Sequence, residues 1–426
     1  MNEDSKLSSF IFCSISIIAI VYSFILALLT NGVSLNSLVF GDRPDFFMDF
    51  YNVLDFARNP DTYATGTTYP PLSLIMMDIF ARLIPGGMSI PAPLLRYTGY
   101  GIIFYFIYYT TSVLCISVIL YKIKKGTKTE KLIFTLCCVV SYPFLITLDR
   151  GNILLIAAFF SLFFMAYYNS EFKLLRELSY LSLGISFAFK LYPAILGILL
   201  LKNKDLKGAV KSAVYGLILL FVPFFYFKGL SDIPVFFRNV FSWTGDVGKS
   251  YEHIRNSFTV SYKTLFSVFG ILNNGAVFAA TRYLSYATSL LALIASFFVA
   301  PYKSAALLSL LSCFAIDMGG DYFLVFMSLA AVQIIDNFNK KKPADILLLI
   351  SLILLFPMFS TPKALMIHIG YGVKINLVSL LCRIGVLLMT LTLTVEGFIE
   401  MAKKIKNKRD YLKLKKQSAF LENPDI

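Results

Sequence analysis

Residues 10–29 read FIFCSISIIAIVYSFILALL, a run with no charged side chain. At 1.5 Å rise per residue, a helix of this length reaches roughly 30 Å, the thickness of a bilayer's hydrocarbon core. Glu3, Asp4 and Lys6 precede it, it is longer than a signal-peptide core, and no clear cleavage site follows, so it reads as a retained first helix. Comparable apolar blocks recur at 97–121, 132–148, 153–168, 180–201, 208–227, 277–300, 305–316, 322–335, 346–359 and 377–398. Long apolar runs rather than ~10-residue alternating strands argue against a transmembrane β-barrel. The pattern predicts an all-α polytopic membrane protein with about ten to twelve membrane segments, several of them short.

Composition agrees. Of 426 residues, 57% are hydrophobic, 16% aromatic and only 15% charged, where soluble domains carry nearer ~25%. The formal net charge of +14 suggests nucleic acid until its placement is examined. Lys and Arg concentrate in short segments between apolar blocks and in a basic tail, 399–426, as the positive-inside rule requires. The tail reads as a solvated cytoplasmic helix near anionic lipid, and no nucleic-acid partner is expected. The six cysteines (Cys13, Cys115, Cys137, Cys138, Cys313, Cys382) lie in apolar stretches and read as small core hydrophobes.

With a cytoplasmic N-terminus, helix 10–29 crosses outward into a long first outer loop, 31–72, and a second outer loop occupies 228–263. Lys122, Lys124, Lys125, Lys128 and Lys131 then mark a cytoplasmic turn. The apolar piece 72–84 is too brief to span and reads as an interfacial helix of the outer loop. Segment 180–201 is anomalous, because both flanks look cytoplasmic while its middle carries Lys190 and Pro193; two half-helices meeting at depth are expected. No internal repeat and no separate soluble domain are visible, so residues 1–398 form one integral-membrane unit.

The first outer loop clusters acids with aromatics: Asp42, Asp45, Asp49 and Asp61 among Phe46, Phe47, Phe50, Tyr51 and Tyr63, leading to Tyr69-Pro70-Pro71-Leu72. A carboxylate held against aromatics at a membrane edge suits a general base, and equally a solvated loop with a helix cap. Asp45 and Asp49 stand one helical turn apart, so a shared face is expected. Lys190 is an intramembrane cation, costing at least ~2.5 kcal/mol at mid-helix, and a helix break beside it suits an anionic phosphate. The other use is a lysine snorkelling to an interface. Asp149-Arg150-Gly151-Asn152 reads as an outer turn where Arg offers a phosphate fork or a capping ion pair. Asp317 and Asp321 flank Gly319-Gly320 and read as caps. His253 and His368 lie far apart without ligand spacing, so a histidine metal site is not expected. Walker, dinucleotide-binding, zincin and nucleophile-elbow motifs are absent.

In their order and spacing these elements resemble the GT-C superfamily of glycosyltransferases, and most of all glycosyltransferase family 87, the polyprenyl-phosphate-mannose-dependent mannosyltransferases and their relatives. The resemblance runs through Asp49-Phe50-Tyr51, Tyr69-Pro70-Pro71-Leu72, Arg150-Gly151-Asn152-Ile153-Leu154-Leu155 and Phe189-Lys190-Leu191-Tyr192-Pro193. It covers residues 10–211 well and the remainder only in hydropathy. It implies a GT-C-like helical bundle in the plasma (inner) membrane with its active site on the extracytoplasmic face. The implied donor is a polyprenyl-phosphate sugar, mannose-like in the first instance, and the acceptor a glycan or glycolipid. Asp49 is implied as base with Asp45 in reserve, and Lys190 and Arg150 are candidates to hold the donor phosphate. Tyr51, Tyr69, Pro70, Pro71, Asn152 and Tyr192 would shape the site. No cofactor beyond the lipid-linked co-substrate is implied, and no ligand set in the sequence demands a divalent metal. Gly319-Gly320-Asp321-Tyr322 stands where relatives often place a histidine-containing turn, a departure. A polytopic transporter, or a flippase or polymerase for lipid-linked saccharides, is the competing class; it would need repeats or several broken helices.

Overall fold

The structure is a computed structural model, and it describes residues 2–39, 46–245, 257–270, 275–315, 320–362, 366–368 and 374–422. The chain is a helical membrane protein, and among the described residues its one sheet is a small hairpin of β1 (Met366–His368) paired antiparallel with β2 (Lys374–Asn376). Helix α1 (Glu3–Leu29) is capped by Asn2, whose side chain accepts from the Ser5 amide, and it exposes Phe10, Ile18, Phe24 and Leu28 along its length. An apolar exposed face of that length matches a lipid environment. After α2 (Met48–Arg58), α3 (Pro71–Leu83) and the short α4 (Ala92–Leu95), helix α5 (Gly99–Ile123) is a second full-length span.

The apolar block 132–148 is not one helix. It divides into α6 (Lys128–Val139) and α7 (Tyr142–Arg150), bent by 45°. Pro143 sits in the first turn of α7, where a missing N–H is tolerated; it would break a continuous helix. Helix α8 (Leu154–Tyr167) packs on α9 (Lys173–Phe189). As expected for 180–201, α9 breaks at Lys190, which is extended (φ −149°, ψ 128°). A 3-10 turn (Tyr192–Gly197) and α10 (Ile198–Lys202) then lead back. A β-carbon at Gly197 would lie 3.6 Å from Leu183 Cδ2, and these two positions are symmetric about Lys190. The chain therefore doubles back, which explains why both flanks of this segment look alike in charge: Lys190 stands at the tip of a helical hairpin.

Helix α11 (Leu206–Phe221) approaches α9 closely through Gly184 and Gly216. Part of the expected second outer loop is helical: α12 (Asp232–Gly245) and α13 (Phe258–Val268) lie within or across its bounds. Then come α14 (Gly275–Ser296), α15 (Pro301–Phe314), a 3-10 turn (Asp321–Met327) with α16 (Ser328–Asp336), α17 (Pro343–Leu355) and α18 (Leu377–Glu422). The last helix runs unbroken through position 398, so the tail does not form a separate element. Among the described residues, α1, α5, 206–226 and α18 are long and apolar enough to cross a membrane, and the bent α6–α7 pair makes a fifth. Shorter helices fill the interior; α15 is buried from Lys303 to Phe314. Cys115 is exposed on α5, whereas Cys137, Cys138, Cys313 and Cys382 are buried as expected of core hydrophobes.

Two charge groups pin the end of the bundle opposite Asp49. Lys124, fully buried, pairs with buried Asp336, whose other oxygen accepts from the Lys125 amide at 2.8 Å. Lys303 meets both Asp345 and Glu396 at 2.7 Å. Ser5 and Ser8 donate to the carbonyls of Asp336 and Ile335, so α1 starts at this same end. Not all lysines between apolar blocks are solvated topology markers, because Lys124 is enclosed by its partner and by the Phe134 ring.

Candidate active site

The geometry around Asp49 begins with aromatic packing. Phe47 lies 4.5 Å from the ring of Tyr105, and Phe50 packs on Tyr105 and Tyr108 at 5.3 and 5.4 Å. These contacts fix α2 against α5 and leave Asp49 in its first turn, where a carboxylate also suits the helix dipole. Helix α2 starts at Met48 behind Phe47, whose φ is 57°. Phe47 adopts this left-handed conformation at the start of α2; Asp45, expected to share a helical face with Asp49, lies outside the described residues.

The second part comes from the Arg150-Gly151-Asn152 turn. Gly151 ends α7 with φ 69°, its amide donating back to Thr147 and Leu148 carbonyls. A β-carbon there would sit 2.7 Å from the Phe47 carbonyl oxygen, and the Phe47 amide donates to the Asp149 carbonyl at 2.7 Å. Only glycine lets the two turns approach this closely. As a result Arg150 Nη2 donates to Asp49 Oδ1 at 3.1 Å, and Asn152 Nδ2 donates to Asp49 Oδ2 at 2.8 Å. Each carboxylate oxygen is held by one side chain and keeps a second lone pair. Both members of the ion pair are partly open, with side-chain exposures of 24% for Arg150 and 17% for Asp49.

The third part is the helix break. Pro71 opens α3 at a position that needs no N–H, and Ser73 Oγ donates to the Phe189 carbonyl at 2.7 Å, an acceptor freed by the end of α9. This tie brings Tyr69-Pro70-Pro71 under the hairpin tip, with Lys190 Nζ 4.0 Å from the centre of the Tyr69 ring. Asp49 acts electrostatically on both Lys190 and Tyr69, so the three parts converge. Desolvation, and next the charge of Asp49, pushes the Tyr69 phenol well above its ordinary range, so its hydroxyl remains a donor. Tyr192 packs its ring on Phe323 and Phe326 at 4.8 and 5.6 Å, and its hydroxyl has no partner among the described residues.

The sequence-predicted residues thus divide. Asp49, Arg150, Asn152, Lys190, Tyr69, Pro70 and Pro71 come together. Arg150, a candidate for the donor phosphate or for a local ion pair, is engaged by Asp49 through Nη2. Asn152, expected only to shape the site, touches the carboxylate directly. Tyr51 is fully buried on another side of α2, in the field of Arg96, because positions two apart on a helix point in nearly opposite directions. Asp321, expected as a cap, accepts from Tyr142 Oη at 2.9 Å and Ser379 Oγ at 2.8 Å, joining α7 to α18. Asp317 and His253 lie outside the described residues. Among the described residues no group of three His, Cys, Asp or Glu is placed to hold a metal ion.

Sequence reasoning missed the support beneath the site. Tyr105, Tyr108 and Tyr109 donate to the carbonyls of Leu148, Asn152 and Phe144 at 2.5, 3.4 and 3.0 Å. Their spacing of three and four residues on one apolar helix was the available signal.

No curated protein and no solved structure matches the chain. The family model of glycosyltransferase family 87 matches residues 68–328, more than half of the 426-residue chain. The match starts after Asp49 and extends well past residue 211, so it carries the Tyr69, Arg150 and Lys190 motifs and much of the later bundle. With its helical membrane architecture, the chain belongs to glycosyltransferase family 87, a family of membrane glycosyltransferases.

Proposed function

We propose that the protein moves a hexose or pentose, mannose-like in the first instance, from a polyprenyl-phosphate donor to a glycan or glycolipid acceptor by inverting single displacement. The observation that carries this reading is the Asp49 carboxylate held by Arg150 and Asn152 within the electrostatic reach of Lys190. Asp49 takes the proton of the acceptor hydroxyl, and the hydroxyl oxygen bonds to the anomeric carbon from the face opposite the leaving group. The bond from that carbon to the phosphate oxygen breaks, and polyprenyl phosphate leaves with the electron pair. Lys190, whose ammonium rests on an aromatic face, supplies the charge for that phosphate. Arg150 and Asn152 orient the base. The lipid-linked sugar is the only co-substrate this scheme requires.

The site faces the extracytoplasmic side in this reading. Its support is the basic residues at the opposite end of the bundle, from Lys122–Lys131 to Lys340–Lys342 and the tail. The test is transfer from a synthetic polyprenyl-phosphate-mannose by the purified chain into a membrane glycolipid fraction. Asp49→Asn should abolish transfer while Asp45→Asn retains it. Intact transfer in Asp49→Asn with loss in Asp45→Asn removes the base assignment, and loss in neither removes the reaction scheme.

A further inference from the structure

Arg96 follows α4 directly and is only 6% exposed, yet no carboxylate lies within ion-pair distance of it among the described residues. Its Nε has no partner, and its Nη1 makes only long contacts to the Phe46 carbonyl (3.4 Å) and Met48 Sδ (3.5 Å). Its other neighbours are the rings of Phe46 and Tyr97, 5.4 and 4.9 Å from its guanidinium carbon. Tyr51, also in its electrostatic field, is fully buried with an unpaired hydroxyl. Arg96 Nη1 reaches Met48, one helical turn from Tyr51 on α2, and a buried cation and a buried hydroxyl left unsatisfied on these touching elements are costly unless an acceptor completes them.

The location says which acceptor. Arg96 stands three residues before Gly99, the first residue of the α5 span, and Tyr97 beside it is 58% exposed. An exposed tyrosine at the start of a span marks headgroup level, where phosphate is the abundant anion. Farther along, Ile103 and Ile107 continue an exposed apolar face suited to an acyl or prenyl chain. We propose that Arg96 and Tyr51 form a lipid-phosphate site, separate from Lys190, in which the guanidinium fork and the phenol hydroxyl donate to one phosphate group. The source is either a phospholipid diester or a polyprenyl monoester.

The experiment uses the full chain in dodecyl maltoside, with Lys190→Gln as background so that the donor site does not contribute. Native mass spectrometry reads binding of farnesyl phosphate, phosphatidylglycerol, farnesol and inorganic phosphate. Binding of one or both phosphate amphiphiles, but not of farnesol or free phosphate, is expected; the tighter of the two identifies the source. Arg96→Gln should weaken it tenfold or more. Tyr51→Phe should weaken it a few-fold while leaving thermal stability without lipid equal or higher, a pairing that a purely structural tyrosine would not give, and this variant keeps the test alive if Arg96→Gln does not fold. Equal binding by farnesol, or undiminished binding in both variants, overturns the proposal. So does binding that appears only in Asp45→Asn, which would show the guanidinium already taken by the chain's own carboxylate.

Discussion

The Asn152 side chain makes two contacts with separate roles: its amide donates to Asp49 Oδ2 at 2.8 Å, while its own oxygen accepts from the amide of Leu154, the first residue of α8, at 3.0 Å. One residue therefore orients a carboxylate supplied from 103 positions away and begins the helix that follows it. Asn152→Asp keeps an acceptor for the Leu154 amide but sets a second carboxylate against Asp49. The expected result is a folded protein, with thermal midpoint changed little, whose transfer rate falls ten- to hundredfold. Asn152→Ala should lose the bond from the Leu154 amide as well, at about 1 kcal/mol of stability. Equal rates in parent and Asn152→Asp, measured under donor saturation, would remove the orienting role.

Lys190 and Tyr69 give a second prediction. Cation–π contacts are worth about 0.5–2 kcal/mol, which corresponds to roughly two- to thirtyfold in an equilibrium constant. Tyr69→Phe keeps the ring face under Nζ and should change donor KM least. Tyr69→Leu removes it and should raise donor KM within that range. Lys190→Ala removes the charge itself and should raise it further, with acceptor KM unchanged. A Lys190→Ala enzyme with unaltered donor KM would leave the hairpin tip without a role in phosphate recognition.

Gly151 is the third. Placing Ala there imposes φ 69° on a residue with a β-carbon, which costs about 1–3 kcal/mol, and drives that carbon to 2.7 Å from the Phe47 carbonyl oxygen. The two turns must separate, so transfer should fall more than the loss of folded protein accounts for. Comparing specific activity per folded molecule with the thermal midpoint separates the two effects; parallel loss of both would mean that Gly151 serves the fold alone.

How much of this was legible before the structure depends on the range of the interaction. Apolar blocks declare membrane helices because bilayer thickness sets their length locally, and Pro193 beside Lys190 declares a break because proline's missing N–H acts within one turn. The pairing of Asp49 with Asn152 is another matter, because it depends on Gly151 and Phe47 meeting across the chain. Arg150 illustrates the limit: residue type says that it will hold an anion, and only packing says that the anion is Asp49. Lys124 was hidden for the same reason, since a lysine in a basic turn looks solvated until Asp336 is folded against it.

Lys124 and Asp336 supply the last prediction, at the end of the bundle away from Asp49. Both side chains are almost wholly enclosed, at 0% and 3% exposure, so removing either partner leaves an uncompensated buried charge. Lys124→Met or Asp336→Leu alone should each cost about 3–5 kcal/mol. The double replacement removes both desolvation penalties and should recover most of that loss. It leaves the Lys125 amide, which donates to Asp336 Oδ2, without its acceptor, so recovery should stop about 1 kcal/mol short. Heat challenge in detergent followed by the folded fraction gives the ranking. Because the pair lies far from Asp49 and Arg150, the folded double variant should transfer sugar at the parent rate; a rate defect there would mean that the two ends of the bundle are coupled.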